Sequence, residues 1–211
     1  MIDYQMLSDV IVDGDSDESV RLTREALAAG MPATEILSAG LIPGITRVGE
    51  MFSQGEVFLP ELLVSGEAMS DAIGVLEPEL SKADVPPRGK FLIGTVVGDV
   101  HDIGKNIVVM MMKSNGWQVE DLGVDVAPEA FCSAVASGDY DILGISALLT
   151  MTTPAAEETI RALKEAGLRD KVKIMVGGAP VTSEWADQIG ADGYASDASE
   201  AVKVAASLTP Q

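Results

Sequence analysis

The hydrophobic period changes once along this chain, and each period commits its half to a different architecture. Residues 1–82 place apolar side chains every three or four positions: Leu37, Leu41, Ile45, Val48 and Phe52 make one stripe, and Leu59, Leu62, Met69, Ile73, Leu76 and Leu80 another. That spacing is the mark of amphipathic helices. It predicts helices over 4–12, 16–29, 32–53 and 59–81, joined by short connections into a four-helix bundle. Pro32 and Pro60 suit first-turn positions, and Gly30 and Gly55 suit stops. Pro43 falls inside the third pattern and predicts a kink or break near Leu41, because proline removes a helical donor.

From residue 90 the pattern shortens and alternates. Apolar runs at 91–97, 118–122, 141–146, 173–177 and 193–195 read as strands, and helical runs follow them at 105–113, 128–137, 153–166, 183–189 and 198–207. Strands alternating with helices imply an α/β fold: a doubly wound, five-stranded parallel sheet, Rossmann-like and of the flavodoxin type. Right-handed crossovers send every strand-end loop to one edge. The loops at His101, 146–152 and 177–182 therefore share it. Between the halves, Ala83-Asp-Val-Pro-Pro-Arg-Gly89 interrupts both periods and reads as a linker, leaving domains at 1–82 and 90–211.

Composition narrows the function classes. The chain has 211 residues, enough for two cores, and a formal net charge of −19. Residues 1–89 carry 16 acids against 5 bases, and residues 90–211 carry 17 against 9. Recognition of phosphates needs a basic face, so nucleic acid is not an expected partner. A single cysteine, Cys132, rules out a disulfide framework and suggests a reducing, cytoplasmic setting. No basic-then-apolar leader and no apolar run of membrane length is seen, so no membrane contact is expected. The ten methionines follow helical spacing and read as core rather than as a copper site.

The only histidine, His101, sits in Gly98-Asp-Val-His-Asp-Ile-Gly-Lys-Asn106. That loop closes the first strand, where open α/β sheets place ligand chemistry. Asp99 stands two residues earlier, and a metal-binding imidazole usually gives its other N–H to a carboxylate or carbonyl. On these residues alone, a metal ligand and an idle loop histidine both remain open. A phosphate-binding P-loop does not fit, because five residues separate Gly98 from Gly104 and Asn106 stands where a hydroxyl should bind magnesium. No G-x-G-x-x-G follows a strand, and no nucleophile elbow accompanies the histidine.

The shared edge carries a pattern in three pieces: Asp99-x-His101-x-x-Gly104, Ser146-x-Leu148 and Gly177-Gly178. Between the pieces lie 41 and then 28 residues. This arrangement resembles the cobalamin-binding signature of methionine synthase and the corrinoid methyl-carrier proteins. The helical half, through Val48-Gly-Glu-Met-Phe-Ser-Gln-Gly-Glu-Val-Phe-Leu-Pro-Glu-Leu62, resembles that family's helical domain, so the likeness covers essentially the whole chain. It implies cobalamin bound base-off and His-on, with His101 as the lower axial ligand of cobalt. Asp99 would orient that imidazole, Thr152 would extend the relay, and Asp102, Ile103 and Gly104 would complete the loop.

Ser146, Leu148 and Thr150 at the third strand end would meet the cofactor tail. Gly177 and Gly178 would let the backbone approach that tail, beside Ala179 and Tyr194. Taken alone, the hydroxyls also suit helix caps and the glycines an ordinary turn. The helical half would cap the methyl-bearing face, with Met51, Phe52, Phe58 and Met69 as candidate lining; ordinary core packing is the alternative for each.

The resemblance further implies a methyl carrier that is non-catalytic alone. It would work between a substrate:corrinoid methyltransferase and a corrinoid:acceptor methyltransferase, the acceptor being tetrahydrofolate or coenzyme M. A reductive activation protein would be a third partner. The donor would be a methylamine, a methoxylated aromatic, methanol or a betaine. Two other classes share the second half. A carbon-skeleton mutase subunit would not need the helical cap, and a cobalamin-dependent regulator would carry a basic helix-turn-helix that this acidic amino-terminal half lacks.

Overall fold

A computed structural model describes residues 2–82 and 87–209; of the expected linker, residues 83–86 lie outside the described residues. The chain divides into two compact units, Met1–Pro86 and Pro87–Gln211.

The first unit is helical: α1 (Tyr4–Asp13), α2 (Ser16–Ala28), α3 (Ala33–Glu35), a π-helical stretch Ile36–Leu41, α4 (Ile42–Ser53) and α5 (Leu59–Lys82). Asp3 and Asp15 start the first two helices by accepting the N–H groups of Met6 and Glu18. Of the kink or break expected near Leu41, the break does not occur. The chain stays helical and widens to π-type turns over Ile36–Leu41, which places Pro43 in the first turn of α4. Proline is tolerated in the first turn of an α-helix, and the hydrogen-bond register changes in the wider turns ahead of it. The helix also runs on through Pro78 in α5, which the hydrophobic pattern did not mark. Leu7, Ile11, Ile36, Leu41, Ile45, Leu62 and Leu76 are fully buried and form the core of this unit. Helices α1 and α4 touch backbone to backbone: a Cβ on Gly44 would stand 2.5 Å from the Ser8 carbonyl oxygen.

The second unit alternates β1 (Lys90–Thr95), α6 (Ile103–Ser114), β2 (Gln118–Asp121), α7 (Pro128–Ser137), β3 (Ile142–Ser146), α8 (Thr153–Glu165), β4 (Lys173–Gly177), α9 (Ser183–Ile189), β5 (Gly193–Ala195) and α10 (Ala198–Leu208). The strands lie in the order β2-β1-β3-β4-β5 and every neighbouring pair is parallel. The order reverses between β1 and β3, which makes the carboxyl ends of those strands the crevice of the fold. On one face, Leu92, Leu143, Ile145, Ile174 and Val176 pack against Phe131 of α7, Ile160 and Leu163 of α8 and Ile189 of α9. Strand alternation turns Thr95, Gly144, Ser146 and Gly177 to the other face, where α6 and α10 pack together. Among the described residues, no helix is long and apolar enough to cross a membrane.

Candidate functional site

At the end of β1 the chain turns through Gly98, whose φ of +81° needs a glycine, and delivers Asp99 into a fully buried position. The carboxylate joins two loops. Its Oδ1 lies 2.7 Å from His101 Nδ1 and accepts the His101 backbone N–H at 3.1 Å. Its Oδ2 accepts the Leu148 N–H at 2.8 Å, the Leu149 N–H at 3.3 Å and the Thr152 hydroxyl at 2.8 Å. Burial pushes the Asp99 pKa up. The N–H groups of Leu148 and His101, then the Thr152 hydroxyl and the His101 ring, outweigh it and hold the carboxyl well below the usual carboxylate range.

An ionised carboxylate only accepts, so Nδ1 is the donor; in the neutral form of the ring Nε2 then carries the lone pair. The His101 side chain is 46% exposed. A ring tied at one nitrogen and open at the other is the form of a metal ligand. Among the described residues, no group of three or more His, Cys, Asp or Glu side chains could hold a metal ion. A metal at His101 would have to bring most of its own ligands, as a macrocycle does.

The two loops that Asp99 joins also expose large apolar side chains. Val97, Val100 and Ile103 lie on the first, and Leu149 and Met151 on the second; Met151 is 91% exposed. Carried on two loops that one carboxylate joins, these side chains make a candidate contact surface. Asp102 and Gly104 are exposed on the same loop as the histidine, Leu148 is half-buried, and Thr150 is exposed, with its carbonyl accepting the Thr153 hydroxyl.

Next to this site, strand register aligns Thr95, Ser146, Gly177 and Ala195 as one row across β1, β3, β4 and β5. All four are small. Ser146 and Gly177 were expected there; Thr95 was not, because register between strands is not visible in a single sequence. Tyr194 pairs with Val176 and packs on the apolar layer that Val176 shares, so it faces away from the row, and Ala195 occupies the place proposed for it.

Gly178 also has a different reason to be glycine. Its φ is +129°, and a Cβ would lie 1.9 Å from the Ala147 carbonyl oxygen, so the fold itself forbids a side chain. Ala179 follows on the exposed loop. In the helical unit, Met69 is fully buried and belongs to the core, which removes it as lining. Met51 and Phe52 are half-buried, and Phe58 is 68% exposed.

Two B12 binding domain families match the chain, one over residues 89–203 and one over residues 4–77. The trimethylamine corrinoid protein of Methanosarcina barkeri is 44% identical over 203 residues, which span 95% of this chain and 94% of that protein. A solved cobalamin-binding protein from Desulfitobacterium hafniense has a TM-score of 0.85 at 33% identity, over 99% of this chain and 100% of that one. A chain of the methanol:cobalamin methyltransferase complex from Methanosarcina barkeri has a TM-score of 0.82 at 32% identity, over 97% of this chain and 79% of that one. With two matched domains and full-length relatives, this chain belongs to the B12-binding corrinoid proteins.

Proposed function

We propose that this protein binds cobalamin with His101 Nε2 as the lower axial ligand and the cofactor's own base displaced, and that it carries a methyl group between methyltransferases. The observation that carries this reading is the His101–Asp99 pair, which fixes one ring nitrogen on a buried carboxylate and leaves the other open. When bound, the cofactor supplies the metal centre that takes up and gives up the methyl group.

The chain supplies ligation and surroundings. Asp99 accepts the ring N–H, orients the imidazole and strengthens it as a donor. Thr152 and the Leu148 amide hold Asp99 in turn. Val97, Val100, Ile103, Leu149 and Met151 offer apolar contact to a macrocycle, and the displaced tail would run along the row of small residues Thr95, Ser146, Gly177 and Ala195.

The names of the relatives support a methylamine as donor, and the methanol system supports a substrate:corrinoid methyltransferase as partner. A corrinoid:acceptor methyltransferase and a reductive activation protein complete the proposed set. Relatives named as dimethylamine and trimethylamine corrinoid proteins, matched over nine-tenths or more of this chain, favour the carrier over a mutase subunit or a regulator. Cobalamin-loaded protein mixed with methylamine and methanol methyltransferases tests the donor class. Methyl uptake that depends on a methylamine is expected; uptake with the methanol system alone would overturn that choice.

A further inference from the structure

The histidine loop runs from Gly98 to Asp102 and leads into the first turn of α6, which holds Lys105. Its signature residue Asp99 ties it to the loop after β3, but the other side is held by residues outside any signature. One segment, Asp121-Leu-Gly-Val-Asp125 after β2, reaches both ends. At the near end, Asp125 Oδ1 accepts the Gly98 N–H at 2.7 Å, and the Asp125 N–H donates to the Asp99 carbonyl at 3.0 Å. Two bonds from one residue to the backbone of consecutive residues fix the path of the chain into Asp99. Asp125 holds φ at +54°, the one left-handed non-glycine residue among those described. Asp and Asn tolerate that region far better than other side chains.

At the far end, Lys105 in the first turn of α6 has a side chain 2% exposed. It pairs with Asp121 and also donates to Asn106 Oδ1 at 2.9 Å. The second oxygen of Asp121 accepts the Gly123 N–H at 2.9 Å, which orients the carboxylate. Between these anchors the segment is stitched to β1, since Thr95 N–H donates to Gly123 and Val126 N–H to Thr95, each at 3.0 Å.

We propose that Asp125 and Asp121 are positioning residues: they anchor the ligand loop on its β2 side and thereby set where His101 presents Nε2. The proposal rests on His101 being the ligand. Asp99 sets the ring against its own backbone, and the β2-side anchors set that backbone against the sheet. The Asp125 side chain is exposed, so its loss changes the loop locally and leaves the core intact.

The test uses full-length protein loaded with cobalamin and grown with 15N-histidine. Asp125→Gly keeps the left-handed backbone and loses the acceptor; Asp125→Asn keeps both. The readout is the share of the cobalt(II) EPR signal split by histidine nitrogen, beside amide exchange across 98–106 in the unloaded protein. In Asp125→Gly the ratio of histidine-split to unsplit signal should fall about tenfold, the lower end of what removing a ligand's supporting contact costs, and the share falls with it. Exchange at Gly98 and His101 should rise, and Asp125→Asn should stay near wild type in both measures.

The pair Lys105→Met with Asp121→Asn removes the far anchor without orphaning a buried charge, and should lower the same share. An unchanged share in Asp125→Gly overturns the proposal, and an unchanged share in the double variant overturns its Asp121 part. If wild type shows no histidine splitting, the ligand reading fails instead. Loop exchange then decides: faster exchange in Asp125→Gly supports the anchor, and unchanged exchange overturns it.

Discussion

Asp99 is the residue on which the two loops converge, and its charge state follows from what bonds it. Because its folded pKa is depressed, its contribution to stability is complete above the ordinary value near pH 4 and is lost as pH falls through the folded value. Asp99→Asn orphans at least one buried donor and should cost about 1–3 kcal/mol at pH 7. The gap between variant and wild type should shrink below about pH 4, where wild type loses its own advantage. Urea unfolding at pH 7 and pH 3 checks this, and a gap of constant size contradicts it. His101, Asp99 and Thr152 were legible because they sit in a short motif and at strand ends. Asp125 was not, since one more aspartate in an acidic chain has no signal until its φ and its bond to Gly98 are known. Tyr194 and Ala195 differ only in strand parity, and a strand as short as β5 gives too few residues to read it.

At the scale of elements, glycines set how closely backbones approach. Helix propensity alone would make Gly44→Ala favourable by up to about 1 kcal/mol. The packing of α1 on α4 decides otherwise, because the new Cβ would meet the Ser8 carbonyl oxygen at 2.5 Å. Overpacking of this kind costs about 1–3 kcal/mol, so the net effect should be a lower unfolding midpoint. A raised midpoint would contradict that contact. Gly178→Ala should also destabilise, by more than the about 1–3 kcal/mol of backbone strain alone, because the new Cβ also meets the Ala147 carbonyl oxygen, even without ligand. A calorimetric scan of the unloaded variant reads it, and an unchanged midpoint there would return Gly178 to a purely ligand-facing role. The π-type turns before Pro43 lie beyond a sequence reading: proline marks where a helix loses a donor, while the burial of Ile36 and Leu41 decides that the chain stays helical.

For the whole molecule, the change of hydrophobic period was enough to separate a helical unit from an α/β unit, since each period needs its own core. The apolar layer formed by the sheet with α7, α8 and α9 is built from second-unit residues alone. Asp99, His101, Ser146 and Gly177 all lie in that unit. The fragment Pro87–Gln211 should therefore fold and retain cobalamin through gel filtration; a fragment that folds but emerges without cofactor would contradict this assignment.

The ligand itself can be tested without any mutation. His101 is the only histidine in the chain, so growth on 15N-histidine labels one residue. In the cobalt(II) state of the loaded protein, axial coordination by His101 predicts EPR lines split into triplets by ordinary nitrogen and into doublets in the labelled protein. Triplets that persist after labelling would mean that the axial nitrogen comes from elsewhere, and would contradict His101 as the ligand.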